Sequence, residues 1–157
     1  MSTWEAKKNR WLKSVGSAED PMALDWFESA PQELETIHFS KNPSGISVGD
    51  LLVYYAAGHQ KLLGIVAVFM KPEFDAQLKR WQHHCPVRPK LMIRDIDRAP
   101  DLDILNVPGK RDFRKSVMQM DYAVLEDTEY ERALAAIEAA FDGTKGDIRD
   151  PHFNRIR

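Results

Sequence analysis

Hydrophobic positions cluster most densely at Gly49–Phe69, GDLLVYYAAGHQKLLGIVAVF. The pattern predicts one strand over Asp50–Ala56 and a second over Lys61–Phe69. The polar linker Ala57–Gln60 between them, with its one glycine, suits a short hairpin loop. Neither strand alternates cleanly. Leu51, Val53 and Tyr55 fall on one face and Leu52, Tyr54 and Ala56 on the other, because successive strand side chains point to opposite sides. Strands that are apolar on both faces are covered on both faces. A small closed or half-closed barrel with helices outside it meets that demand. The split also sends Tyr54 and Tyr55 to different environments, and the pattern alone does not choose which of them faces a cleft.

Thinner segments complete the outline. Arg10–Gly16 reads as a short strand. Ser17–Ser29 carries helix-start signals, with Asp20 as N-cap, Pro21 in the first turn and Met22 and Trp26 on an apolar side. Residues 30–48 read as loop with an extended piece at Thr36–Phe39. Cys85–Asp95 alternates, and Pro89 within it lacks the N–H for a ladder bond, which predicts an edge or a bulge. Residues 110–120 suggest a short helix and Tyr122–Leu125 a strand. The clearest helical spacing is Tyr130, Leu134, Ile137 and Phe141, opened by a Thr128/Glu131 capping box and closed near Gly143. The expected organisation is a leader at 1–9, one domain over 10–142 and a polar tail at 143–157.

The whole chain has 157 residues and a net charge of −2, with 43% apolar and 29% charged residues. This fits one globular domain and argues against disorder. Charge is unevenly spread. Gly16–Glu35 holds six acids and no base, Lys71–Lys115 holds eleven Lys/Arg against seven Asp/Glu, and Asp121–Asp142 holds seven acids and one base. Only the middle of the chain is suited to a basic face. Cys85 is the single cysteine, which excludes an internal disulfide and suits a reducing cytoplasm. The charged N-terminus lacks a signal-peptide core, and no apolar run is long enough for a membrane span.

Motifs of catalysis are weak. His83, His84 and Cys85 do not have the spaced pairs of a structural zinc site, and no metal or cofactor is expected. The aspartates of residues 94–105 place Pro100 where a calcium loop needs glycine. Phosphate-cradling glycine motifs and a nucleophile elbow are absent. Lys13, Asp50, His59 and Lys115 are the thin candidates for acid–base or nucleophilic work. Aromatics are more informative as a group. Trp11, Trp26, Tyr54 and Tyr55 lie in or beside the expected elements, and rings around a barrel resemble a stacking pocket.

The segments WLKS (11–14), GDLLVYYAAG (49–58), LLGIVAVF (62–69), Trp81 followed by CPVRP (85–89), RKSV (114–117) and EYERAL (129–134) occur in the order found in EVE domains. The chain resembles that family, part of the PUA-like superfamily that includes YTH and ASCH domains, over residues 10–141. The resemblance implies an α+β fold: a PUA-like mixed, curved β-barrel of about five to six strands with helices packed around it. It also implies a nucleic-acid-binding module without catalysis, holding a base, often a modified one, of DNA or RNA. Carried to this sequence, the pocket is Trp11, Ser14, Trp26, Tyr54 or Tyr55, Arg114 and Ser116, and Arg88, Lys90 and Lys115 form a rim that holds phosphates. The expected chain is a monomer, working alone or beside a nuclease or restriction-type partner. The rival readings are an ASCH-like hydrolase of modified nucleosides and a small-ligand or protein-interaction domain.

Overall fold

The structure, a computed structural model, describes residues 9–16, 21–79, 81–109, 111–113 and 121–153. Its strongest element is the expected hairpin. Strand β3 (Leu51–Ala56) pairs antiparallel with β4 (Lys61–Val68), from Leu51 opposite Ala67 to Tyr54 opposite Gly64. The register then slips, so that Tyr55 faces Leu62. This bulge bends the pair, and Leu52–Ala56 and Leu62–Val66 are all buried. Gly64 makes the bend possible. A Cβ there would sit 2.2 Å from the Leu91 carbonyl oxygen and 2.8 Å from Met92 Cα.

Strand β1 (Arg10–Val15) runs parallel to β3, with Trp11 beside Leu52 and Lys13 beside Tyr54. Its other side pairs antiparallel with β7 (Tyr122–Val124), Lys13 beside Tyr122. Strand β6 (His83–Met92) pairs antiparallel with β4 on one side and with β2 (Thr36–Phe39) on the other. The strand order is β2-β6-β4-β3-β1-β7, and the two-residue strands β5 (Glu73–Phe74) and β8 (Ile148–Arg149) also pair with β6. Pro89 sits where the β4–β6 register slips, Ile65 facing Leu91 and Val66 facing Pro89. The missing donor is thus absorbed by a bulge inside the sheet, not at its edge.

The end strands β2 and β7 come together without a ladder between them. The Ser40 amide donates to Asp121 Oδ2 at 2.8 Å and the Tyr122 hydroxyl donates to the Asn42 carbonyl at 3.3 Å. The Phe39 and Tyr122 rings meet edge to face at 5.4 Å. The curled sheet is therefore a half-closed barrel with a seam.

Helix α1 is only Trp26–Ser29, and residues 21–25 form a turn where a longer helix is expected. The turn is pinned elsewhere: His59 Nε2 donates to the Met22 carbonyl at 2.6 Å, tying it to the hairpin loop. The expected N-cap Asp20 lies outside the described residues. Helix α2 (Asp127–Ala140) packs Tyr130, Ala133, Leu134 and Ile137 inward. Its capping box is Glu126 with Glu129, two residues before the expected one. Glu129 is drawn in because it also binds the Arg111 guanidinium, Oε1 to Nη2 at 2.9 Å. The short helix expected at 110–120 lies outside the described residues apart from Arg111–Phe113.

The stretch read as a polar tail is packed as far as Phe153. The Asp147 side chain is fully buried and accepts from Arg98 (2.6 and 3.0 Å) and from the amides of Arg94 (2.8 Å) and Asp142 (2.7 Å). Strand β8 then pairs with Leu91 and Met92. A polar sequence can dock in this way because its carboxylates take up donors at the end of a strand. Among the described residues no helix is long and apolar enough to cross a membrane.

Candidate functional site

The seam gathers the most chemistry. Alternation along β1 sends Trp11 and Lys13 to one face, and the register puts Leu52, Tyr54 and Tyr122 on that same face. Lys13 is 1% exposed. Its ammonium donates to Asp121 Oδ1 at 2.9 Å and to the Ser14 carbonyl at 2.5 Å. It also lies 4.9 Å from the centre of the Phe39 ring and 6.0 Å from that of Trp81. Burial pushes the Lys13 amine below its ordinary range, against the opposing pull of the Asp121 and Glu33 carboxylates. Burial raises Glu33, with Lys13 opposing. Burial, His84 and Lys13 together lower His38.

Trp11 is held like a bracket at the side of this site. Its indole N–H donates to Asp50 Oδ2 at 3.0 Å, and its ring meets Tyr122 edge to face at 5.5 Å. The far edge rests on Gly45, where a Cβ would come within 3.1 Å of the ring. Asp50 is itself buried and takes the amides of Asn9 (3.1 Å) and Ser47 (2.9 Å). Trp81 adopts a left-handed φ of 55°, a conformation that costs about 1–2 kcal/mol for a residue with a side chain and that clusters at functional sites. The result is an ammonium–carboxylate pair ringed by Trp11, Phe39, Trp81 and Tyr122. Such an arrangement sets a charged donor and acceptor among aromatic rings, the chemistry that flat, polar-edged molecules complement.

The expected site residues divide. Trp11 lines the seam, and Ser14 supports it by donating from Oγ to the Asp121 carbonyl at 3.1 Å. Tyr54 shares the Lys13 face, is fully buried and donates to the Glu33 carbonyl at 2.7 Å. Burial, with Glu33 and Cys85 nearby, holds its phenol well above the usual range. Tyr55, beside Ser14 in the register, takes the opposite face. The structure does not bring Trp26 to the seam. Trp26 is a fully buried core residue whose indole donates to the Arg94 carbonyl at 3.0 Å and whose ring packs on Phe27.

Arg88 is exposed and lies 4.0 Å over the Phe69 ring, three strands across the sheet and three residues along the register from Lys13. Lys90 pairs with Asp150 at 2.7 Å. Neither joins the seam. Arg114, Lys115 and Ser116 lie outside the described residues. Of the thin catalytic candidates, Asp50 and His59 are committed to the structural bonds above.

Phe39, Trp81, Asp121 and Tyr122 were not among the residues expected to line the site. One signal for it was legible: a lysine inside a strand with buried neighbours needs a buried partner. The partner, 108 residues away, was not. A second depression includes Leu24, Glu28, Arg94 and Arg98. Its arginines are paired with Glu28 and Asp147, so it offers less unmatched chemistry. Among the described residues no three His, Cys, Asp or Glu side chains form a metal-binding group.

No family model matches the chain, and no curated protein matches it. Solved structures do. Protein Atu2648 from Agrobacterium tumefaciens superposes with a TM-score of 0.55 at 18% identity, covering 84% of this chain and 92% of that one. A hypothetical protein from Leishmania major gives 0.53 at 16%, covering 85% and 96%. Human THYN1, solved in complex with DNA containing 5-methylcytosine, gives 0.53 at 12%, covering 86% and 99%. The fold is PUA-like. It is the expected α+β architecture, a curled mixed sheet with helices packed around it, and six strands make its main path.

Proposed function

We propose that this chain is an EVE-type nucleic-acid-binding module that holds a modified base at the β2/β7 seam. The observation that carries the reading is the buried Lys13–Asp121 pair enclosed by Trp11, Phe39, Trp81 and Tyr122. A base has two π faces for stacking and a polar edge, which rings plus a fixed donor and acceptor match. Likeness of fold to a protein solved with 5-methylcytosine DNA supports the choice of ligand class. Binding without catalysis is favoured because Lys13 Nζ is engaged by two acceptors, not poised as a nucleophile.

The test is tryptophan-fluorescence titration with short DNA and RNA strands bearing 5-methylcytosine and other modified bases, against unmodified controls. A modified strand is expected to quench the signal, with affinity falling as salt is raised because phosphate contacts release counterions. Trp11→Ala is expected to keep a cooperative melt and weaken binding by about 5- to 150-fold, the range for one lost base–aromatic stack. Absence of saturable binding to every strand at low salt overturns the reading.

A further inference from the structure

Outside the seam itself, the sheet carries a line of flat side chains that leads away from it. Phe39 on β2 is opposite His83 on β6, and His83 is opposite Phe74 on β5. Direct cross-strand partners share a face, so the three side chains form one row. The inner end of the row is the site. Phe39 is buried, meets Tyr122 edge to face and lies under the Lys13 ammonium. The outer end is open: Phe74 is 57% exposed and its ring sits 5.1 Å from that of half-buried His83. Phe69 and Met70, in the same connection from β4, are also exposed, and Arg88 covers Phe69.

An exposed phenylalanine on a two-residue edge strand does little for stability. The charge of the segment that carries it indicates what covers it. Phe69–Lys90 carries five Lys/Arg against two Asp/Glu, together with His83 and His84, in a chain whose net charge is −2. Apolar rings set among cations match the stacked bases and phosphates of a single strand. An acidic or purely apolar partner matches only half of that surface.

We propose that His83 and Phe74, which continue the row outward from buried Phe39, form a stacking track along which the single strand leaves the seam, the nucleotide next to the held base resting on Phe74. This rests on the base-binding reading above and adds the path of the flanking strand. The test compares wild type, Phe74→Ala and Phe74→Trp, each with 5-methylcytidine nucleoside and with a short single strand carrying one central 5-methylcytosine. Phe74→Ala is expected to bind the strand about 5- to 150-fold more weakly and the nucleoside unchanged, while Phe74→Trp keeps strand affinity.

Equal strand binding by wild type and Phe74→Ala overturns the track and leaves the base site standing. Failure of wild type to bind either probe removes the base site, and the track with it. Sedimentation that finds wild type self-associating and Phe74→Ala monomeric, with strand affinity unaltered, assigns the patch to a second copy of the chain and overturns the proposal.

Discussion

At the scale of single residues, Lys13 sets the terms of the site. A buried cation has to be paired, and removing one member of a buried pair strands the other. Lys13→Met is therefore expected to cost about 3–5 kcal/mol in urea denaturation. Adding Asp121→Asn keeps an acceptor for the Ser40 amide and removes the stranded charge, so the double variant is expected to be more stable than Lys13→Met alone. Non-additivity in that cycle measures the coupling. Cys85 gives a second residue-scale prediction. Burial pushes its thiol up to about 11 from 9.0. Between those values the unfolded thiol loses its proton while the folded one keeps it, so stability falls as pH rises. Cys85→Ala is expected to make that fall shallower, as read from urea midpoints across the window. The resemblance named Trp11, Ser14 and Trp26 together; the structure places Trp11 and Ser14 at the seam and Trp26 away from it. An indole on an apolar helix face looks the same in sequence whether it lines a cleft or, as here, closes a core by donating to Arg94.

At the scale of elements, the β3–β4 hairpin was legible because its strands are dense in β-branched and aromatic residues around a glycine turn. The bulges were only half legible. Pro89 announced one, whereas the slip between Tyr54 and Tyr55 is set by packing across β4 and β6. That slip depends on Gly64. Gly64→Ala forces a Cβ against the Leu91 backbone and is expected to cost about 3 kcal/mol, the upper part of the usual range for overpacking, measured by chemical denaturation. Helix α2 was found by its spacing but begins earlier than expected, since the cap that wins is the one whose Glu129 also reaches Arg111. The helix expected from Pro21 gives way to a turn because His59 and Trp26 fix its carbonyl and indole to other elements. Short local signals lose to such long-range bonds when the segment is only a few residues long.

At the scale of the whole molecule, the C-terminal stretch acts as a clasp on β6 and on the loop after it. Asp147 and Asp150 lie below the ordinary carboxylate range. For Asp147, burial pushes upward and is outweighed by Arg98 and the backbone donors; for Asp150, the Lys90 hydrogen bond leads. A depressed carboxylate contributes stability above 3.8 that is lost as pH falls through the lower folded value. Asp147→Asn is expected to lower stability at neutral pH by about 2 kcal/mol and to flatten the acid limb of the stability curve, as read from urea midpoints down to pH 3. The barrel was legible from doubly apolar strands, while the clasp was not, because a polar sequence reads as solvated until its partners are known. Strand order has a further consequence, one of timing. β1 is synthesised first yet lies between β3 and β7, and Lys13 meets Asp121 across 108 residues of chain. At translation rates of about 5–20 residues per second, that lysine waits on the order of 5–20 s for its carboxylate. Once Val68 is made the nascent chain holds the hairpin, while the seam still has only one wall. A ribosome-bound chain that stops short of residue 121 therefore lacks both the carboxylate that pairs Lys13 and the strand β7 that closes the seam.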